Sequence, residues 1–255
     1  MPTKDGVDTE LSAFRSPLSA LPVSVVIPAL NEEAAIGRAA KSAWEAGAEE
    51  VIVADGGSAD RTLAIAEEAG CRVLSSPAGR AVQQNRAASQ ARGAALLFLH
   101  ADNWLGEGAI RQLRAALDNP HVLCGAFRQR IEAAGIAYRA LERGNAARVR
   151  LLGLPYGDQA IFVRRETFEQ LGGFPTVRLM EDLLIMKQLR RLAWPVLLPG
   201  PLHVSARRWQ QNGVIRQTLR NWSLLVAHKF GASPDRLAQH YHSGKRKAES
   251  GREER

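Results

Sequence analysis

Apolar and polar positions along the chain mark out alternating elements. A β-branched run, Val23-Ser24-Val25-Val26-Ile27, ends at Pro28. Asn31 then offers a helix N-cap, Glu32 and Glu33 favour a helix start and Gly47 its stop, which predicts a helix over 32–46. A second run, Val51-Ile52-Val53-Ala54, leads into Asp55-Gly56-Gly57-Ser58 and a helix over 60–69 closed by Gly70. A third strand is expected over 71–74, an Ala-, Gln- and Arg-rich helix over 81–91, and a fourth strand over 95–99 that delivers His100-Ala101-Asp102.

Strands alternating with helices in this way make βαβ units, hence an α/β fold with a mainly parallel central sheet. Ligands of such sheets sit beyond the carboxyl ends of the strands. Three of the four ends carry polar chemistry: Asn31 with Glu32, Asp55, and His100 with Asp102. The second half is less regular. It predicts a helix over 107–118, a strand over 121–131, a helix over 136–152 and a strand over 159–164. A loop at Gly172-Gly173-Phe174-Pro175 follows, then a helix over 181–192 opening on Glu181-Asp182. Over 209–230, Ile215, Leu219, Trp222, Val226 and Phe230 share one helix side and Arg216 and Arg220 the other. The expected organisation is a loose lead-in over 1–20, one domain over 21–208, an amphipathic helical segment over 209–242 and a disordered basic tail over 243–255.

Composition narrows the class. With 45% hydrophobic and 24% charged residues in 255, the chain is not largely disordered, collagen-like or a coiled coil. The longest apolar stretches, 21–30 and 94–99, fall short of the ~20 residues of a spanning helix. The N-terminus lacks the apolar core of a secretory signal, and Cys71 and Cys124 lack metal-type spacing, so a reduced, cytoplasmic chain is expected. Of the net charge of +8, +7 falls in residues 201–255. That placement, with 6% aromatics, argues against nucleic acid. It points to an anionic membrane surface, with the protein peripheral at the inner face, or to a solvated tail. The helix over 209–230 accordingly either packs on the domain or rests on anionic lipid, helped by Lys245-Arg246-Lys247.

No GxGxxG follows the first strand and no GxxxxGK[ST] occurs, which leaves ordinary dinucleotide and P-loop binding unsupported. Carboxylates and amides at strand ends suit ribose hydroxyls, base edges and a divalent cation instead.

In order and spacing, Pro28-Ala29-Leu30-Asn31-Glu32-Glu33, Asp55-Gly56-Gly57-Ser58-Ala59-Asp60 and Glu181-Asp182 resemble the motifs of family 2 glycosyltransferases of the GT-A fold. The resemblance runs over about 23–209 and is closest to a small bacterial subgroup with an HAD-type metal motif, associated with arsenosugar biosynthesis. It implies a three-layer GT-A fold and metal-dependent, inverting transfer of a sugar from a nucleotide diphosphate donor, UDP-linked by preference, to an acceptor hydroxyl. The backbone at Pro28 and Ala29 and the side chain of Glu32 would border the nucleotide. Asp55 would accept from the base, and Arg80 would lie beside the base or the diphosphate. Asp102 would hold Mn²⁺ or Mg²⁺ through a hard oxygen. His100 stands where the family's Asp-x-Asp has its first acid; a neutral imidazole accepts from a ribose hydroxyl, or ligates Mn²⁺ more readily than Mg²⁺. Asp182 would be the general base, supported by Glu181. Asp158 and Gln159 are candidates for sugar hydroxyls, and Arg207, Arg208 and Trp209 for closure over the diphosphate. His203 is either a further metal ligand or a structurally satisfied histidine.

Simpler readings stand beside these. The segment 55–60 also reads as a tight turn with Ser58 capping the next helix, Asp102 as a capping acid, and Glu181-Asp182 as a complement to a helix dipole. Two other functions also compete. A sugar-1-phosphate nucleotidyltransferase needs a Gly-rich loop with Arg and Lys after the first strand, where this chain reads Pro28-Ala29-Leu30-Asn31-Glu32. A non-catalytic nucleotide-binding or membrane adaptor would account for His100 as a decayed motif.

Overall fold

Helices cover both faces of the sheet, so the first strands are apolar at nearly every position rather than at alternate ones. The computed structural model describes residues 21–213 together with Ser223, Ala227, Ser233, Pro234 and Leu237. The expected lead-in over 1–20 and tail over 243–255 lie outside these residues. The elements are β1 (Val23–Ala29), α1 (Ile36–Glu45), β2 (Glu50–Asp55), α2 (Thr62–Glu68), β3 (Arg72–Ser75), α3 (Arg80–Ala88) and β4 (Ala95–Phe98). Then come β5 (Asn103–Leu105), α4 (Ala109–Leu117), β6 (Cys124–Ile131), α5 (Ile136–Leu152), a 3₁₀ turn (Gly157–Gln159), β7 (Phe162–Arg164) and α6 (Arg165–Gln170). The last are α7 (Glu181–Leu192), β8 (Val196–Val204) and α8 (Arg207–Asn212).

The strand order is β3-β2-β1-β4-β7-β6-β8-β5. β1 pairs parallel with β2 and β4, β2 with β3, and β6 with β8. β7 runs antiparallel between β4 and β6, and β5 runs antiparallel along β8. Because side chains alternate across a strand, each one feeds two cores. Val25, Ile27, Val53 and Leu97 pack beneath Ile36, Ala39 and Ala40 of α1 and Ile110 and Leu113 of α4. Val26, Ile52, Leu96 and Phe98 pack against Ala81 and Ala87 of α3 and Ile185, Met186 and Leu189 of α7. Each fully buried side chain of this size contributes about 1.5–3 kcal/mol. On the second face Phe98 lies 5.1 Å from Phe168 and 4.7 Å from Phe174, centroid to centroid. Asn85 of α3 holds the expected loop at 172–175 there, donating to the Phe174 carbonyl at 2.8 Å and accepting from its N–H at 2.9 Å.

Two expected caps are corrected. α1 starts four residues late, at Ile36, after Ala35 and without a side-chain cap. Asn31 instead adopts φ 54°, donates its N–H to Ser58 Oγ and accepts from the Ala59 N–H, tying the loop after β1 to the loop after β2. Ser58 does not cap α2 either: its hydroxyl donates to Asp55, and Asp60 accepts from the Thr62 N–H at 3.0 Å. The sequence reading lacked β5, α6 and β8. Two are only three and six residues long, and β8 carries Pro199-Gly200-Pro201, which reads as a loop. Neighbours rather than propensity make β8 a strand, since β6 and β5 flank it on either side.

Within the helix expected over 209–230, α8 ends at Asn212, before Gly213, and only Ser223 and Ala227 are described beyond it. Ala227 packs against the apolar cluster of Met180, Leu183 and Leu237. Among the described residues no helix is long and apolar enough to cross a membrane.

Candidate active site

β1 and β4 are neighbours with carboxyl ends on one edge, and α3 opens just beyond them. A hollow of about 170 Å³ lies there, walled by Pro28, Ala29, Leu30, Glu32, Arg80, Gln83, His100, Ala101 and Asp102. Six expected site residues from three separate stretches of chain thus meet at one place. Ala101 and Asp102 also wall a second hollow of about 270 Å³, with Ala35 and Arg38 of α1, Trp104, Glu132, Ser205 and Arg207. Asp102 therefore stands at the boundary of both. Arg207 closes toward the first loop, 3.5 Å from Glu32.

Asp55 is buried at the end of β2, in register with Ala29. Its carboxylate accepts from the Gly57 and Ser58 N–H groups at 2.8 and 3.0 Å and from the Ser58 hydroxyl. It braces its own loop, as the tight-turn reading required. A carboxylate has about four acceptor positions, which leaves capacity for one more donor.

Sequence reasoning passed over Gln83. It is buried in α3, and its amide donates to the Ala29 carbonyl at 2.7 Å and the Ala54 carbonyl at 2.8 Å, while its oxygen accepts from the Gly79 N–H. One side chain thus pins the ends of β1 and β2 to the start of α3. A Cβ on Gly56 would come within 3.1 Å of that amide, so the glycine keeps the approach open. The available signal was a Gln in a helix whose neighbours Ala81, Ala87 and Ala88 all face the core.

The chemistry of α7 joins the hollow through two contacts. Glu181, almost fully buried, forms an ion pair with Arg80 Nε at 3.0 Å, and Arg80 reaches His100 Nε2 at 3.4 Å. Burial pushes the Glu181 carboxyl pKa up; Arg80 opposes the rise, and the neighbouring Asp182 adds to it. Asp182 accepts from the Gly157 N–H at 2.6 Å and from the Leu183 N–H at 2.7 Å. Gly157 is needed here because a Cβ would lie 2.8 Å from His100 Nε2 and 3.3 Å from Asp182 Oδ2. His100 and Asp182 are therefore within about 6 Å of each other across that glycine. The backbone before α7 is strained, with Met180 at φ 68°.

Other expected residues fall elsewhere. Gln159 has no exposed surface; its oxygen accepts from Arg148 at 2.6 Å, so it braces the 3₁₀ turn instead of meeting a sugar. Asp158 sits beside Gly157, its carbonyl accepting from Gln129 and Asn103. His203 Nδ1 lies 2.7 Å from Glu132, and its ring stacks on Trp104, contacts that a structural histidine makes. Trp209 packs against the core below α1 and α4 rather than over a diphosphate. The side chain of Arg208 lies outside the description.

No three His, Cys, Asp or Glu side chains converge as a metal cage among the described residues. Mg²⁺ and Mn²⁺ bound with a diphosphate need only one or two protein carboxylates, the remainder coming from phosphates and water. Asp102, a hard oxygen donor at the boundary of two hollows, fits that demand.

Comparison with known proteins places this edge in context. The sequence profile of glycosyl transferase family 2 matches residues 24–174, from β1 to the loop after α6. A TPR repeat-containing protein of Synechococcus elongatus is 30% identical over 187 residues, 68% of this chain and 41% of its own length. Among solved structures, TarS of S. aureus in complex with UDP superposes with TM-score 0.56 at 19% identity, over 72% of this chain and 60% of that one. Glucosyl-3-phosphoglycerate synthase of Mycobacterium tuberculosis, in complex with Mn²⁺, UDP and glucosyl-3-phosphoglycerate, gives 0.52 at 22%, over 73% and 70%. The chain thus spans about two fifths of the curated relative and three fifths of the TarS chain. The architecture is that of GT-A glycosyltransferases, and the profile covers more than half of the sequence: the chain belongs to glycosyl transferase family 2.

Proposed function

We propose that this protein transfers a sugar from a nucleoside diphosphate donor, UDP-linked by preference, to an acceptor hydroxyl with inversion at the anomeric carbon. The observation that carries this reading is the meeting of Pro28, Ala29, Glu32, Arg80, His100 and Asp102 on one hollow at the carboxyl ends of β1 and β4. The nucleoside would lie along Pro28–Ala29 and Glu32, with Asp55 offering its remaining acceptor position to the base. Asp102 would hold Mg²⁺ or Mn²⁺, which when bound neutralises charge on the diphosphate. The TarS and synthase complexes, with UDP and with Mn²⁺ and UDP, support that choice of donor and ion. The arsenosugar-associated subgroup rests on His100-Ala101-Asp102 alone.

Asp182 is the base in this reading. Two backbone N–H groups fix its carboxylate and leave lone pairs for an incoming hydroxyl, whose proton it takes as the acceptor oxygen attacks C1. Glu181 would hold Arg80 toward the donor side, and Arg80 and Arg207 supply positive charge for the departing diphosphate. No covalent nucleophile is required; positioning and charge compensation carry the rate.

Incubation with a panel of UDP-sugars and Mn²⁺, with release of UDP as the readout, tests this reading. Asp182→Asn is expected to lower turnover by about 10²–10⁴-fold while donor binding persists. Full activity in that variant, or pyrophosphate release from a nucleoside triphosphate and a sugar phosphate, would overturn it.

A further inference from the structure

An apolar patch lies away from the hollows, at the far ends of α5 and α7. Leu151 and Leu152 close α5 and are 75% and 52% exposed, and Leu192 and Trp194, at and beyond the end of α7, are 55% and 54% exposed. The two ends touch: Arg190 donates to the Leu152 carbonyl at 2.8 Å, and the Trp194 ring lies against Gly153, 3.2 Å from where a Cβ would stand. Scattered exposed leucines need no explanation, but four large apolar side chains on two abutting helix ends form a contiguous surface.

The charge around the patch is one-sided. Residues 143–154 and 183–195 hold six Lys and Arg and no Asp or Glu. Arg150 and Arg191 are exposed beside the leucines. An exposed Trp flanked by Leu, with Arg150 and Arg191 exposed nearby, matches the boundary of an anionic bilayer: the indole suits the headgroup level, leucine the acyl boundary and arginine the phosphates. An acidic protein would satisfy the arginines but leave the apolar tips without a reason to cluster. The chain is also nearly neutral over residues 1–200, so this local excess is a feature of the patch and not of the domain.

We propose that the ends of α5 and α7, through Leu151, Leu152, Leu192 and Trp194 with Arg150 and Arg191, seat the protein on an anionic lipid surface. The surface does not depend on which sugar is transferred. Asp182 stands in the first turn of α7 and the patch at its last, so a bilayer docked here lies about 15 Å along the helix from the proposed base.

Co-sedimentation of the full-length protein with vesicles tests the proposal, using phosphatidylcholine alone and phosphatidylcholine mixed with phosphatidylglycerol, at low and high salt. Salt-sensitive binding to the anionic vesicles alone is expected. The double variants Leu192→Ser/Trp194→Ser and Arg150→Glu/Arg191→Glu should each weaken it roughly tenfold or more. Ile136→Ser, which removes a still more exposed side chain from the other end of α5, should leave binding unchanged. Absence of wild-type binding overturns the proposal, and so does binding undiminished in both double variants, which would move the contact to the basic segment 245–247. A large drop in melting temperature in Leu192→Ser/Trp194→Ser, or loss of a dimer, overturns it too, since the patch would then be covered by the chain itself or by a second copy.

Discussion

The sheet is built in two styles, and the residues of the proposed site divide between them. From β1 to β4 the chain repeats one unit, a parallel strand followed by a helix or turn, with β1, β2 and β4 buried and β3 partly exposed at the edge. From β6 to β8 parallel and antiparallel pairs mix, with a register irregularity between Phe127 and Gln129. The first half delivers Glu32, Asp55, His100 and Asp102 by topology alone, because a strand end points where its strand points. In the second half Asp182 reaches the same edge only through specific contacts: Gly157 N–H, Arg80 with Glu181, and the space left by a missing Cβ. The half proposed to bind the donor is robust, and the half that carries the proposed base is held by a few atoms.

Gly157→Ala attacks the fragile half most sharply. The added methyl collides with His100 and crowds Asp182, and a displacement of about 1 Å at a reacting group costs about a hundredfold in turnover. Steady-state kinetics should show the larger loss in kcat, with a smaller rise in donor KM from the displaced His100; an equal loss in both would mean that the two halves are not separable. Gln83→Met probes the robust half. It removes two hydrogen bonds to strand-end carbonyls, each contributing about 0.5–1.5 kcal/mol, and loosens the nucleotide loop. Donor affinity should fall roughly tenfold, a change of about 1.4 kcal/mol, with kcat at saturating donor retained. Unchanged KM would show that the strand ends hold without it.

Glu181→Gln separates stability from function. Because burial raises the Glu181 pKa, the folded chain keeps that proton to higher pH than the unfolded chain, where the value is about 4.3. Stability contributed by this group is therefore present below the ordinary value and lost as pH rises through the folded one. Melting curves from acid to neutral pH should show the variant gaining on the wild type across that window, while turnover drops as Arg80 loses its anchor. A melting difference that stays constant with pH would contradict this. The smallest effect concerns the thiols: burial pushes Cys71 up to about 11 and Cys124 to about 12, so neither should react with a thiol reagent in the folded protein at neutral pH. Fast labelling would mean that the apolar layers open.

The same division explains what could be read without coordinates. α5 and α7 fall at the bounds expected from the sequence, α7 opening on its two acids, and the residues proposed to meet the nucleotide follow from the strand-end rule. Asn31 misled because an Asn before two acids signals a helix cap, whereas tertiary contacts recruit it to join two loops. Gln159 misled because a polar residue in a Gly-containing turn suggests a ligand contact, yet Arg148 of α5 takes its oxygen. Gln83 and Gly157 were silent because their importance lies in distances between segments far apart in the chain, which no local pattern encodes.

The central claim is that Asp102, at the boundary of the two hollows, completes a donor site with the loops after β1 and β4. Titration calorimetry of UDP into the protein with and without Mn²⁺, in wild type and Asp102→Asn, tests it most directly. The account predicts binding that Mn²⁺ strengthens in the wild type and no longer strengthens in the variant. UDP binding that ignores both Mn²⁺ and the substitution, or no UDP binding at all, would contradict it.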